Sequence, residues 1–168
     1  MRYEGQTDFT KLQVDTQRLQ DMSWITVGPN LHLALAGQTS FGDELLTPEQ
    51  FDVGGSQFRS GYDPSEIAGD KGLVGKVELQ CSRYHEFSKH PVPTQDFGHR
   101  GVGKVWNEEL RYMHAENLAS AGFGAHFLVA SYTYVSPELA FPLTRSLSAE
   151  ELQGKNGKSP RVYLLKLF

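Results

Sequence analysis

The chain has 168 residues, room for one ordinary domain, and its 16 Lys and Arg against 20 Asp and Glu leave a formal charge of −4, which gives no basic surface for nucleic acid. Its single cysteine, Cys81, excludes an intrachain disulfide. No apolar run reaches membrane-helix length, yet a membrane β-barrel stays open, because a spanning strand needs only about ten residues and only alternate ones meet lipid.

In chain order, Met1-Arg2-Tyr3-Glu4-Gly5-Gln6-Thr7-Asp8 has no apolar core and is not a signal peptide. For an outer-membrane location the export signal is expected outside this chain. Phe9 to Gln20 alternates with period two: Leu12, Val14 and Thr16 share one face, Lys11, Gln13, Asp15 and Gln17 the other. Val27-Gly28-Pro29-Asn30 carries turn chemistry. Leu31 to Gln38 is the cleanest strand, with Leu31, Leu33 and Leu35 opposite His32, Ala34 and Ala36. Thr47-Pro48-Glu49-Gln50 predicts one helical turn, with Thr47 as cap, Pro48 in the first position and Gln50 closing a capping box. Gly54 to Gly72, rich in Gly, Asp and Ser, reads as a long and therefore functional loop. Leu73 to Cys81 alternates again, and Gly98 to Asn107, Ala119 to Leu128, Ser131 to Leu143 and Arg161 to Phe168 are further strands. Ser146 to Pro160 is a polar loop.

The expected class is all-β: about seven strands, polar connectors and no long helix. Alternation alone leaves two architectures. A soluble sheet turns its polar face to water and its apolar face to a second sheet. A membrane barrel lines a wet lumen with the polar face and presents the apolar face to lipid.

The motifs favour the second. Leu45-Leu46-Thr47-Pro48-Glu49-Gln50-Phe51-Asp52-Val53-Gly54-Gly55 resembles the LLPSEQFxLGG stretch of outer-membrane transporters of the two-partner secretion (hemolysin secretion/activation) family. Gly61-Tyr62-Asp63-Pro64-Ser65-Glu66-Ile67-Ala68-Gly69-Asp70-Lys71-Gly72 is similar to that family's loop signature. Gly103-Lys104-Val105-Trp106-Asn107, Leu118-Ala119-Ser120-Ala121-Gly122-Phe123-Gly124 and Pro142-Leu143-Thr144-Arg145 resemble later motifs, in the family's order. The terminal Phe168 matches the C-terminal assembly signal of such barrels.

The resemblance covers about residues 9–168. It implies an antiparallel transmembrane β-barrel in the bacterial outer membrane, of sixteen strands and preceded by two POTRA domains. This chain is then expected to supply the C-terminal partial barrel of about seven strands, as a truncated fragment without the POTRA domains and first barrel half. The resemblance implies that residues 54–72 fold back into the lumen. It also implies passive secretion and activation of a large partner exoprotein, with neither ATP nor metal, and with outer-membrane lipid and the barrel assembly machinery as further partners. A soluble β-sheet binding module is the alternative. No nucleophile–base pair supports an enzyme.

In the family, a loop Arg reaches an Asp on the barrel wall. Gapless alignment puts Ser60 at the Arg position, with Arg59 one residue early, and Gly101 at the Asp position. Arg59 to Asp63 form the loop tip, and Gly69, Asp70 and Gly72 end the signature. If the loop shifts by a residue, Asp96 or Glu78 is a candidate partner for Arg59. Asp63, Glu66 and Asp70 read as solvated loop acids with too few oxygens in register for calcium. Pro137 falls inside a strand, where it removes a ladder hydrogen bond. Phe141 stands where the family often has Lys, and Lys166 shares a face with Phe168. The six histidines lack close metal-ligand spacing; the nearest pair, His85 and His90, lies in a stretch that reads as a loop. Gly154 to Ser159 lacks the first glycine of a phosphate loop and reads as surface. Cys81 is expected as a packed or lipid-facing thiol, and Trp106, Tyr112, Tyr132 and Tyr134 as an interfacial girdle.

Overall fold

The computed structural model describes residues 8–24, 28–53, 67–87, 90–109, 112–130, 133–144 and 161–163. The strands are β1 (Leu12–Asp21), β2 (Pro29–Thr39), β3 (Phe51–Val53), β4 (Ile67–Gly69), β5 (Lys71–Phe87), β6 (His90–Glu109), β7 (Tyr112–Ala130), β8 (Thr133–Val135), β9 (Glu138–Pro142) and β10 (Arg161–Tyr163), with one 3-10 turn at Thr47–Glu49.

One eight-stranded antiparallel sheet runs β1-β2-β5-β6-β7-β9-β10, with β8 paired to β7. β8 and β9 are one strand interrupted at Pro137. Phe127 pairs Val135 and Gly124 pairs Glu138, which is the same register. Pro137 has no N–H to give, but its carbonyl still accepts the Ala125 N–H at 3.2 Å, so the ladder survives on one side. Counting β8 and β9 as one position leaves seven positions, as the alternation predicts. The sheet is not closed: among the described residues β1 pairs only with β2, and β10 only with β9.

Several boundaries move. β5 and β6 extend into the stretch read as a loop and join by a hairpin in which Phe87 pairs His90. The segment read as loop up to Gly72 already contains β4 and the start of β5. Thr47 does not cap the short helix: Leu46 holds that position without a side-chain hydrogen bond, and its carbonyl accepts the Glu49 N–H at 2.8 Å. Pro29 opens β2, a position where its missing N–H costs little.

The two faces of the sheet differ in an unusual sense. Along β5, Val77 and Leu79 leave 49 % and 47 % of their surface exposed, while Glu78 between them leaves 6 %. Leu35, Leu73, Val102, Phe123 and Phe141 join the exposed apolar face. Gln38, His99 and Ser120 are buried on the opposite face. A soluble protein does not leave so extended an apolar surface open. Among the described residues no second sheet covers it. What lies on the polar-lined face is the β3–β4 ribbon, so that face is termed inward.

Candidate functional site

The site is the seat of this ribbon. β3 and β4 pair antiparallel, Phe51 with Gly69 and Val53 with Ile67. Phe51, Val53 and Ile67 form one apolar cluster with Ala36, Val74, Val105 and Leu118 from the inward faces of β2, β5, β6 and β7. The wall makes room with glycine. A Cβ on Gly72 would lie 2.0 Å from the Phe51 ring, and one on Gly103 would lie 2.6 Å from Val53. The order of these contacts gives the ribbon a direction. Phe51 lies on the wall near Val105, Val53 sits two residues further along β6 at Gly103, and the next inward position is Gly101. The ribbon therefore runs down the inward face toward its polar half.

Its base is tied by Asp70, which is completely buried (0 % exposed). The Asp70 carboxylate accepts the Leu45 N–H at 3.0 Å and the Gln50 side-chain amide at 3.3 Å. Gln38 donates to the Asp70 carbonyl at 3.5 Å and to that of Glu49 at 3.0 Å. Gln50 also donates to the Asn107 side-chain oxygen at 3.5 Å, and Asn107 donates to the Ala68 carbonyl at 3.4 Å. From just before the edge strand, Lys11 donates to the Glu49 carboxylate at 2.8 Å. Three motifs far apart in sequence thus converge: Gln50 from the first, Asp70 from the second, Asn107 from the third. Asp70 is a buried acceptor, and its reading as a solvated loop acid is corrected. The parity of β5 carried the signal, since stepping back by two from the inward Val74 reaches Gly72 and Asp70.

Of the remaining predicted residues, Arg59, Ser60, Gly61, Tyr62, Asp63 and Phe168 lie outside the described residues, as do Glu66, Lys166 and the stretch Gly154 to Ser159. Gly69 is the last residue of the ribbon, paired with Phe51, and Gly72 borders it. Gly101 faces inward beside Ser120, and a Cβ there would meet only the Ser120 hydroxyl, at 3.4 Å, and a backbone carbonyl at 3.8 Å. Asp96 does not share that surface. It stands on the outward face of β6, 3.8 Å from Arg83. Glu78 does face inward, one register step from Gly101, and it holds Lys76 at 2.7 Å and Gln80 at 2.6 Å.

Sequence reasoning missed the rest of the inward polar surface. His99 bonds Glu138 at 2.8 Å from β6 to β9, across β7. Gly122 is what permits this: a Cβ there would come 2.5 Å from the imidazole. Phe97 stacks on His126, with ring centroids 4.5 Å apart, and His126 meets Ser136 at 2.8 Å. On the outward face Cys81 is partly exposed, Phe141 stacks with Phe123 at 6.3 Å, and the Lys104 ammonium lies 5.1 Å over the Trp106 ring. No cluster of three or more His, Cys, Asp or Glu suited to a metal occurs among the described residues.

An open wall of antiparallel strands, apolar outside, polar inside and carrying an inward-folded ribbon, defines the chain as part of a β-barrel of the outer-membrane type. The family model for haemolysin secretion/activation protein ShlB/FhaC/HecB matches residues 2–127, three quarters of the chain, and the protein belongs to that family. The family is one of secretion proteins rather than an enzyme class. A search of curated proteins finds no match.

Proposed function

We propose that the chain is the C-terminal wall of an outer-membrane transporter that passes an unfolded partner exoprotein from the periplasm to the cell surface. The observation that carries this reading is the inverted burial of the sheet, with leucines and valines exposed outward and Glu78, His99 and Ser120 buried inward. An apolar exterior suits lipid, and a polar wall suits a water-filled path for an unfolded chain. Conduction along such a wall needs no covalent chemistry and no nucleotide.

Connection lengths orient it. Outer-membrane barrels have short periplasmic turns and longer surface loops. Residues 22–28, 88–89 and 131–132 join strands at one rim, and 40–70, 110–111 and 143–160 at the other, so every connection longer than seven residues is on the second. The first rim is then periplasmic, and the ribbon enters the lumen from the cell surface. The exposed edges need partners, because an unpaired backbone is costly in lipid. β1 and β10 run in the same direction, so an antiparallel closure requires an odd number of further strands. The wider protein, with its POTRA domains and remaining strands, supplies them in this reading, and the barrel assembly machinery inserts the whole.

For the loop tip, Arg59 is assigned to the lumen, with Glu78 as its carboxylate; Asp96, facing outward, is set aside. Ser60→Arg and Gly101→Asp, singly and together in a full-length transporter, test whether the displaced pair matters. Secretion should rise most in the double variant, since the wall has space for a carboxylate at position 101. Unchanged secretion in all three would remove the displaced pair from the account.

A further inference from the structure

The outward face carries a charge pattern that a plain lipid-facing surface does not need. Across β1, β2, β5, β6 and β7, the outward residues between the row of Val14, Gly37 and Leu73 and the row of Gln20, Leu31 and Leu79 include Arg18, Arg100 and Lys104, and no carboxylate. The whole chain, by contrast, has more acids than bases. Arg18 and Arg100 stand on one register row, with Leu33 and Val77 between them. Three strand spacings separate them, about 14 Å. Both border one shallow groove of about 590 Å³ whose apolar lining includes Leu33, Leu35, Val77 and Val102. Among the described residues Arg18 reaches only the neutral Gln20 side chain, at 2.6 Å. Arg100 has no anionic partner among the described residues and is exposed.

We infer that this groove is a binding site for an anionic glycerophospholipid, its acyl chain on Leu33, Leu35, Val77 and Val102 and its phosphate between Arg18 and Arg100. The inference rests on the membrane reading proposed above. Two unpaired guanidinium groups on a lipid-facing surface are unfavourable unless they reach an anion, and guanidinium binds phosphate through paired, charge-assisted hydrogen bonds. Position selects the lipid. Arg18 lies three residues from the end of β1, and Leu33 beside it four from the start of β2, at the rim of residues 22–28; Arg100 shares their row, midway along the longer β6. Both long side chains can extend toward that rim. It is the periplasmic rim in the assigned orientation, where glycerophospholipid forms the leaflet. The outward pair Arg83–Asp96 at the same end is already internally matched.

The test is lipid competition on the full chain in detergent micelles, read by native mass spectrometry of lipid adducts. Phosphatidylglycerol is offered against phosphatidylcholine of identical acyl chains. Each interfacial cation contributes roughly fivefold, so the expected preference is roughly thirtyfold. Arg18→Gln with Arg100→Gln should reduce it to near parity, while Arg83→Gln should leave it intact; circular dichroism confirms that each variant keeps its strand content. Equal binding of the two lipids, or a preference that survives the double variant, overturns the site. Stronger capture of lipid A than of phosphatidylglycerol, or displacement by millimolar inorganic phosphate, overturns the assigned occupant. Sedimentation of the same chain without detergent separates the two levels of failure: a soluble folded monomer removes the membrane reading itself, whereas an aggregate with no lipid preference removes only this site.

Discussion

Asp70 shows how a single residue fixes the site. A carboxylate with no solvent contact is tolerated only when donors surround it, and here the Leu45 N–H and the Gln50 amide supply them. Asp70→Ala leaves the Leu45 N–H buried without that acceptor, which costs about 1–3 kcal/mol. The expected result is a lower unfolding midpoint in detergent with unchanged strand content by circular dichroism. An unshifted midpoint would mean that the carboxylate does not anchor residues 45–50. Asp70 lay within a quoted motif, but its burial was not evident there, because an acidic residue beside two glycines and a lysine looks like any solvated loop. Only the period of two carried back from Val74 marks it as inward. His99 and Glu138 were less legible still, since they are 39 residues apart and meet only because Gly122 leaves a gap between them.

Among the elements, the ribbon depends on glycines that face it. Gly72→Ala places a methyl group inside the Phe51 ring position, and overpacking of this kind costs about 1–3 kcal/mol. The ribbon should lift, and limited proteolysis should then cut within residues 40–70. Gly98→Ala is the matched control, because its Cβ would point outward and meet only a carbonyl at 3.9 Å. Equal cleavage of both variants would mean that the ribbon is not seated as described. The strands themselves were legible from alternation, and the short helical turn from Pro48. Their ends were not. β5 and β6 run well past the alternating cores because hairpin pairing carries polar residues such as Arg83 and Thr94 into the ladder. Pro137 was legible as a defect, but not as one bridged by its own carbonyl.

For the whole molecule, the alternation was visible from the start but did not say which face was wet. Period two is the same in a sandwich and in a barrel, and the motif resemblance selected the barrel. The three-dimensional arrangement adds an independent physical reason: the polar face is the one covered, by the ribbon, while the apolar face stays open. It also shows where four of the motifs meet. Gln50 in the 40–70 connection, Asp70 just before β5, Asn107 on β6 and Leu118 on β7 each come from a different motif and meet at one seat. Among the described residues the sheet ends in two edges, β1 and β10, and an unpaired strand edge is costly in lipid.

The most direct test of this arrangement is a spin-label scan along β5, on a Cys81→Ser background, with the chain reconstituted in lipid bilayers. Labels at Leu73, Val77 and Leu79 should collide with oxygen dissolved in the lipid and be shielded from an aqueous nickel complex. Labels at Val74, Lys76 and Glu78 should not show that lipid signature. A period-two pattern in that phase supports an apolar face in lipid and a polar face lining the interior. Aqueous accessibility at Leu73, Val77 and Leu79, or the reverse phase, would contradict it.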